Sequence, residues 1–157
     1  MPSPAAGEFE LIDDAATARL GAAVARALQL GEAVCLSGPL GAGKSTLARG
    51  LIRALAGPVE EVPSPTFTLV QTYDTPHLAV AHFDLYRLAR FDETEELGLD
   101  EALDLGAAVI EWPERLDGHL PPHRLDIILA LVCQGEVDSR RAWLKPHGRW
   151  EGRTIEL

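Results

Sequence analysis

Two spacings of apolar side chains alternate along this chain, and the points where one gives way to the other mark out its elements. Residues 8–12 suit a short edge strand. Asp13 or Asp14 then offers an N-cap, and Leu20, Val24, Ala27 and Leu28 fall on one face of a helix that Gly31 ends. Residues 32–37, Glu-Ala-Val-Cys-Leu-Ser, read as a short buried strand. From Lys44 to Ala56 the helical period returns, with Leu47, Leu51 and Leu55 at i, i+4 and i+8. Gly57 and Pro58 stop that helix, glycine just past its end and proline beyond it.

The second half changes period more often. Pro63 and Pro65 hold residues 62–66 extended. Residues 67–73, rich in threonine, valine and aromatics, then predict a strand, residues 74–77 a turn, and residues 78–84 a second strand, so that the two pair as a hairpin. Residues 87–103 turn helical and acidic. Residues 107–110 form an apolar run that ends in Glu111-Trp112-Pro113, another core strand reaching an edge. After the loop at Pro121-Pro122, residues 125–132 and 140–145 suit an antiparallel hairpin around residues 135–138. The expected organisation is a loose N-terminus over residues 1–7, one domain over 8–147 and a tail over 148–157 that shows no pattern. Strands that alternate with helices predict an α/β class.

Between the buried strand and the second helix lies Gly38-Pro39-Leu40-Gly41-Ala42-Gly43-Lys44-Ser45, which matches G-x-x-x-x-G-K-[ST], the P-loop that wraps nucleotide phosphates. Strand, glycine loop, helix is the context this motif requires. Glycines let the backbone bring its N–H groups to phosphate oxygens, and the helix start adds its positive dipole end. Lys44 would neutralise charge on the β- and γ-phosphates, and the Ser45 hydroxyl would ligate Mg²⁺. The chain holds only two lysines, Lys44 and Lys145, and one of them stands at the motif position.

Composition narrows the class. The 157 residues suit one domain with a substantial core, and 46% hydrophobic with 24% charged residues is ordinary for a soluble globular protein. No apolar run is long enough to span a membrane, and the first seven residues lack the pattern of a signal peptide. A cytoplasmic location is expected, with Cys35 and Cys133 as reduced thiols. The net charge of −10 argues against a protein that holds nucleic acid by itself, because phosphate contacts call for a basic face. An acidic excess suits solubility, or docking onto a more basic partner.

Phosphoryl chemistry in a P-loop needs Mg²⁺ held against the phosphates and a water or acceptor aimed in line. Open α/β sheets bind ligands at the carboxyl ends of their strands, where Asp84 and Glu111 both stand. Asp84 reads as a carboxylate on the Mg²⁺ side, direct or through water. Glu111 reads as a metal ligand or as the group that orients the attacking water. The alternative for each is a strand-end carboxylate that caps the next turn. Ser64 and Thr66 sit in a loop that can reach the γ-phosphate side as a switch segment, or form a proline-braced turn. His82 lies two residues before Asp84, on the same face of a regular strand, and reads as a structural histidine rather than a catalytic base. Arg87 could supply charge to the phosphates or pair with the acidic helix that follows.

Four blocks together resemble the bacterial TsaE (formerly YjeE) family: Leu40-Gly41-Ala42-Gly43-Lys44-Ser45-Thr46, Ser64-Pro65-Thr66-Phe67-Thr68-Leu69-Val70, His82-Phe83-Asp84-Leu85-Tyr86-Arg87-Leu88 and Glu111-Trp112-Pro113-Glu114. The resemblance spans about residues 8–147. Members usually carry threonine where this chain has Ser45, and the hydroxyl is kept. What the resemblance implies is a P-loop ATPase of tRNA threonylcarbamoyladenosine (t6A) biosynthesis, an α/β fold with a small mixed β-sheet flanked by helices, with ATP and Mg²⁺ as cofactors. It implies that Gly38, Leu40, Gly41, Ala42, Gly43, Lys44, Ser45 and Thr46 hold the nucleotide. Ser45 and Glu111 would ligate Mg²⁺, Asp84 would have a catalytic or metal-side role, and the loop bearing Thr66 would act as a switch. It places the region from Asp14 to Thr17 near the adenine. The implied partners are TsaB and TsaD, which hold the site that adds threonylcarbamoyl to adenosine 37 of tRNA, so that tRNA is met only through them. Hydrolysis by the family is weak on its own.

Three rivals share parts of this pattern. A small-molecule kinase normally closes an arginine-bearing lid over the phosphates, whereas the one candidate lid here, residues 87–99, is mostly acidic. A GTPase commonly reads guanine with Asn-Lys-x-Asp, and this sequence contains no asparagine. A module that binds ATP without turning it over is the third.

Overall fold

Four parallel strands at the centre of one sheet put the P-loop and both strand-end carboxylates on the same edge. The computed structural model describes residues 2–57, 62, 69–88, 90, 93–134 and 137–157. Ser64 and Thr66, and with them the proposed switch loop, lie outside the described residues. In chain order the elements are β1 (Pro2–Pro4), β2 (Gly7–Leu11), α1 (Asp14–Ala27), β3 (Ala33–Ser37), α2 (Lys44–Ala56), β4 (Val70–Tyr73), β5 (Val80–Asp84), α3 (Thr94–Leu97), α4 (Leu99–Leu105), β6 (Ala107–Glu111), β7 (Arg124–Gln134), β8 (Val137–His147) and β9 (Thr154–Glu156), with short 3-10 turns at Pro113–Leu116 and Gly148–Trp150. The main sheet has seven strands in the order β2-β8-β7-β3-β6-β5-β4. β3 runs parallel to β6 and β7, and β5 runs parallel to β6. The β4–β5 and β7–β8 hairpins and the outer strand β2 add the antiparallel pairs, as the sequence pattern predicts.

Period two decides which side chains meet which layer. On β3, Val34 and Leu36 face a core shared with Leu20, Val24, Leu47 and Leu51 of α1 and α2, while Ala33 and Cys35 face a second cluster with Phe83, Ile110 and Leu116. A parallel strand is therefore buried on both sides, which is why residues 33–36 read as a continuous apolar run. The α1–α2 crossing is close because two glycines make it so. A Cβ on Gly21 would run into the Leu47 carbonyl, and one on Gly50 into the Ala18 carbonyl. The Asp13 carboxylate caps α1 by accepting the Ala16 N–H at 2.7 Å.

Structure is present at both ends, where the sequence reads as loose or patternless: β1 pairs antiparallel with β9, and Trp150 is fully buried in the core. The buried Glu32 carboxylate draws Arg153 into a two-pronged ion pair of 2.6 and 2.8 Å, and that bond holds the tail down. The acidic segment is also not one helix. Gly98, in a left-handed conformation at φ 77°, separates α3 from α4. Among the described residues no helix is long and apolar enough to cross a membrane.

Candidate functional site

β3 ends at Ser37, and the chain turns through the P-loop into α2, whose first residue is Lys44. Gly43 stands at the N-cap with φ 105° and supplies no capping side chain, so the first amides of α2 keep their capacity for an anion. Gly38, at φ 142°, lies so close to β7 that a Cβ would strike the Leu129 carbonyl. The loop is thus pinned at its start, whereas a Cβ at Gly41 would meet nothing within 4 Å.

A cleft of about 330 Å³ lies over this loop, lined by Leu40, Gly41, Gly43, Lys44, Ser45 and Thr46 on one side and by Asp84, Tyr86, Glu111 and Trp112 from the neighbouring strand ends. The parallel register puts Asp84 directly beside Glu111 and Glu111 beside Leu36. Ser45 Oγ donates to Glu111 Oε1 at 3.1 Å, and His82 Nε2 meets Glu111 Oε2 at 2.6 Å. Asp84 Oδ1 accepts the Tyr86 N–H at 3.1 Å.

Lys44 is 5% exposed and curls back on its own loop. Its Nζ donates to the Gly38 carbonyl and, at 3.0 Å, to that of Pro39, and it sits 4.1 Å from the centre of the Trp112 ring. Burial pushes its amine below the ordinary lysine range, an effect that Glu111, Glu114 and Asp84 oppose. Trp112 itself adopts φ 61° and ψ 54°, a left-handed conformation rare for a bulky residue. Its ring lies 4.9 Å from that of Tyr86. Strain of this kind persists where surrounding contacts overdetermine it, and here the contacts are the lysine and a second aromatic ring.

Of the residues singled out from sequence, Lys44, Ser45, Thr46, Asp84, Arg87 and Glu111 converge on the cleft, together with Leu40, Gly41 and Gly43. Gly38 takes part through its carbonyl, and Ala42 is buried inside the loop. Thr17 does not reach the cleft: it is fully buried beside Gly43, and its hydroxyl donates to the Asp13 carbonyl at 3.3 Å. Sequence reasoning missed Arg140. From β8 it lines the cleft and donates to Asp14, while its buried Nε has no partner among the described residues. No local signal marks it, because only the pairing of β8 on β7 brings it to the P-loop.

The donors suit magnesium. Mg²⁺ takes oxygen ligands and is commonly held by one or two carboxylates plus substrate phosphates, not by an all-protein cage. A hydroxyl and a carboxylate oxygen 3.1 Å apart at the mouth of a P-loop match that need. Among the described residues no group of three or more histidine, cysteine, aspartate or glutamate side chains forms a metal cage.

This fold and loop define a P-loop NTPase class of protein. The crystal structure of Bacillus subtilis YdiB superposes with a TM-score of 0.73 at 25% identity, over 96% of this chain and 91% of that one. The family model for "Threonylcarbamoyl adenosine biosynthesis protein TsaE" matches residues 11–141. Proteins described as tRNA threonylcarbamoyladenosine biosynthesis protein TsaE are similar over 70–76% of this chain. The Rickettsia bellii protein is 42% identical over 70% of this chain and 76% of its own length. The Treponema pallidum protein is 41% identical over 76% and 87%. The Bacillus subtilis protein is 40% identical over 73% and 69%. The chain belongs to the TsaE family.

Proposed function

We propose that this protein binds ATP with Mg²⁺, hydrolyses it weakly, and so sustains the formation of threonylcarbamoyladenosine at position 37 of tRNA by a TsaB–TsaD pair in the cytoplasm. The observation that carries the reading is the Ser45–Glu111 contact at the mouth of an uncapped helix N-terminus. Bound magnesium supplies charge neutralisation at the β- and γ-phosphate oxygens. Ser45 and Glu111 would hold it. Asp84, on the adjacent strand end, would orient the attacking water or accept its proton.

Lys44 has a different task. Leaving two neutral carbonyls for phosphate oxygens exchanges hydrogen bonds in which only the donor is charged for ones in which both partners are. The loop contacts keep the desolvated amine satisfied until a phosphate arrives. Arg87 and Arg140 add further positive charge to the same cleft.

Steady-state phosphate release, measured with and without TsaB and TsaD, tests the function. Slow release alone and faster release with the pair is the expected result. No stimulation by the pair, together with transfer of phosphate to a small acceptor, would support a small-molecule kinase instead. Lys44→Ala should weaken ATP binding by about ten- to a hundredfold, since charged hydrogen bonds contribute about 1.5–3 kcal/mol. Undiminished ATP affinity in that variant, read by calorimetry, would sink the P-loop assignment.

A further inference from the structure

Glu111 is held at both of its oxygens, and by different kinds of partner. Oε1 meets the Ser45 hydroxyl at the cleft, whereas Oε2 meets His82 Nε2 at 2.6 Å in the interior, where the two side chains are 3% and 1% exposed. An ionised carboxylate can only accept, so Nε2 carries the proton. Nδ1 is buried with no partner among the described residues. This imidazole satisfies one nitrogen and leaves the other empty. A histidine that merely filled the core would leave the short bond unexplained, and phenylalanine would fill the same space without burying an orphan nitrogen.

We propose that His82 is a positioning residue that sets cation specificity. Its Nε2–H occupies Glu111 Oε2, so the carboxylate offers a single oxygen, Oε1, to a divalent cation beside Ser45. Magnesium demands a compact octahedral shell, whereas calcium takes six to eight oxygens and often binds a carboxylate through both of its own. A glutamate restricted to one oxygen therefore favours magnesium over calcium. Hydrogen bonds to a ligating carboxylate are known to be worth about 10–100-fold in metal affinity, a scale large enough to decide selectivity. The inference rests on the reading of Ser45 and Glu111 as the protein ligands of the cation.

Two near-isosteric replacements separate this role from packing. His82→Gln keeps an N–H donor at the end of a three-carbon reach, and His82→Met keeps the length without the donor. Binding of ADP is measured by calorimetry in EDTA, in magnesium and in calcium, so that nothing depends on turnover. In His82→Met the enhancement of ADP affinity by magnesium should fall about tenfold, and the enhancement by calcium should fall less. Affinity in EDTA should stay within about twofold, and His82→Gln should keep the magnesium-to-calcium ratio close to that of the unsubstituted protein.

An unchanged ratio in His82→Met overturns the proposal. So does a loss in step under all three conditions, which is the mark of a structural role, and so does a Gln variant that loses as much as the Met variant. Glu111→Gln separates the two layers of the argument. If it abolishes the magnesium effect while His82→Met does not, only the positioning role fails. If Glu111→Gln leaves the magnesium effect intact, the assignment of the cation ligands fails first and the proposal falls with it.

Discussion

Two glutamates lie buried at opposite ends of the parallel strands, and they are satisfied in opposite ways. Glu32, just before β3, is 0% exposed, and Glu111, the last residue of β6, is 2% exposed. Glu32 is saturated with positive charge. Arg153 grips both oxygens, Arg149 stands at 3.5 Å, and the Gln29 N–H donates at 3.0 Å. Glu111 meets a hydroxyl and an imidazole, and the nearest lysine amine is bonded to loop carbonyls instead. Burying a carboxylate costs several kcal/mol unless a partner compensates it. For Glu32 the fold supplies that compensation. For Glu111 it supplies a hydroxyl, an imidazole and a lysine bonded elsewhere, a weaker compensation that leaves room for a bound cation.

The same substitution at the two positions should therefore give unlike results. Glu32→Gln strands Arg153 and should cost about 3 kcal/mol, since breaking one partner of a buried pair typically costs about 3–5 kcal/mol and Arg153 is partly exposed. Urea denaturation would show it, and ADP affinity of the folded fraction should not change. A loss under about 1 kcal/mol would mean that the tail is not held by this pair. Arg149→Ala should do much less. Its side chain is 46% exposed, so the expected loss is about 0.2–1 kcal/mol and should shrink further in high salt. A larger, salt-insensitive loss would make Arg149 an equal partner of Arg153.

The contrast between the two glutamates also separates what the chain discloses locally from what only its folding reveals. Lys44 and Ser45 were legible because a P-loop is eight consecutive residues whose chemistry is local. Asp84 and Glu111 were legible as carboxylates ending apolar runs, a property of each run alone. The partner of Glu111 was not. His82 lies 29 residues away, and only the register of β5 on β6 brings the two together. The anchor of Glu32 was hidden more deeply, because Arg153 lies 121 residues away in a segment with no hydrophobic period. Trp150 went unread for the same reason. A lone tryptophan between glycines gives no periodic signal, and its burial follows from the closing of β9 on β1. Gly98 broke the acidic helix where the polar pattern alone suggested continuity, since a single residue at positive φ leaves no mark on amphipathicity.

The smallest change in stability should come from Glu111→Gln, and it is the result that most sharpens the contrast. The Lys44 ammonium loses one of the carboxylates that offset its burial but keeps its bonds to the Gly38 and Pro39 carbonyls. The amide can still accept from one neighbour and donate to the Ser45 oxygen, which can turn to receive it. Relief from burying a weakly compensated charge offsets the weaker hydrogen bonds, so urea denaturation should place the variant within about 1 kcal/mol of the unsubstituted protein. Magnesium should nevertheless lose most of its effect on ADP affinity, because the cation would meet a neutral oxygen where it had met a charged one. Stability and cation response move together at a staple and separate at a site. If Glu111→Gln unfolds as readily as Glu32→Gln, then Glu111 is already fully compensated within the fold, and the distinction drawn between the two ends of the sheet is wrong.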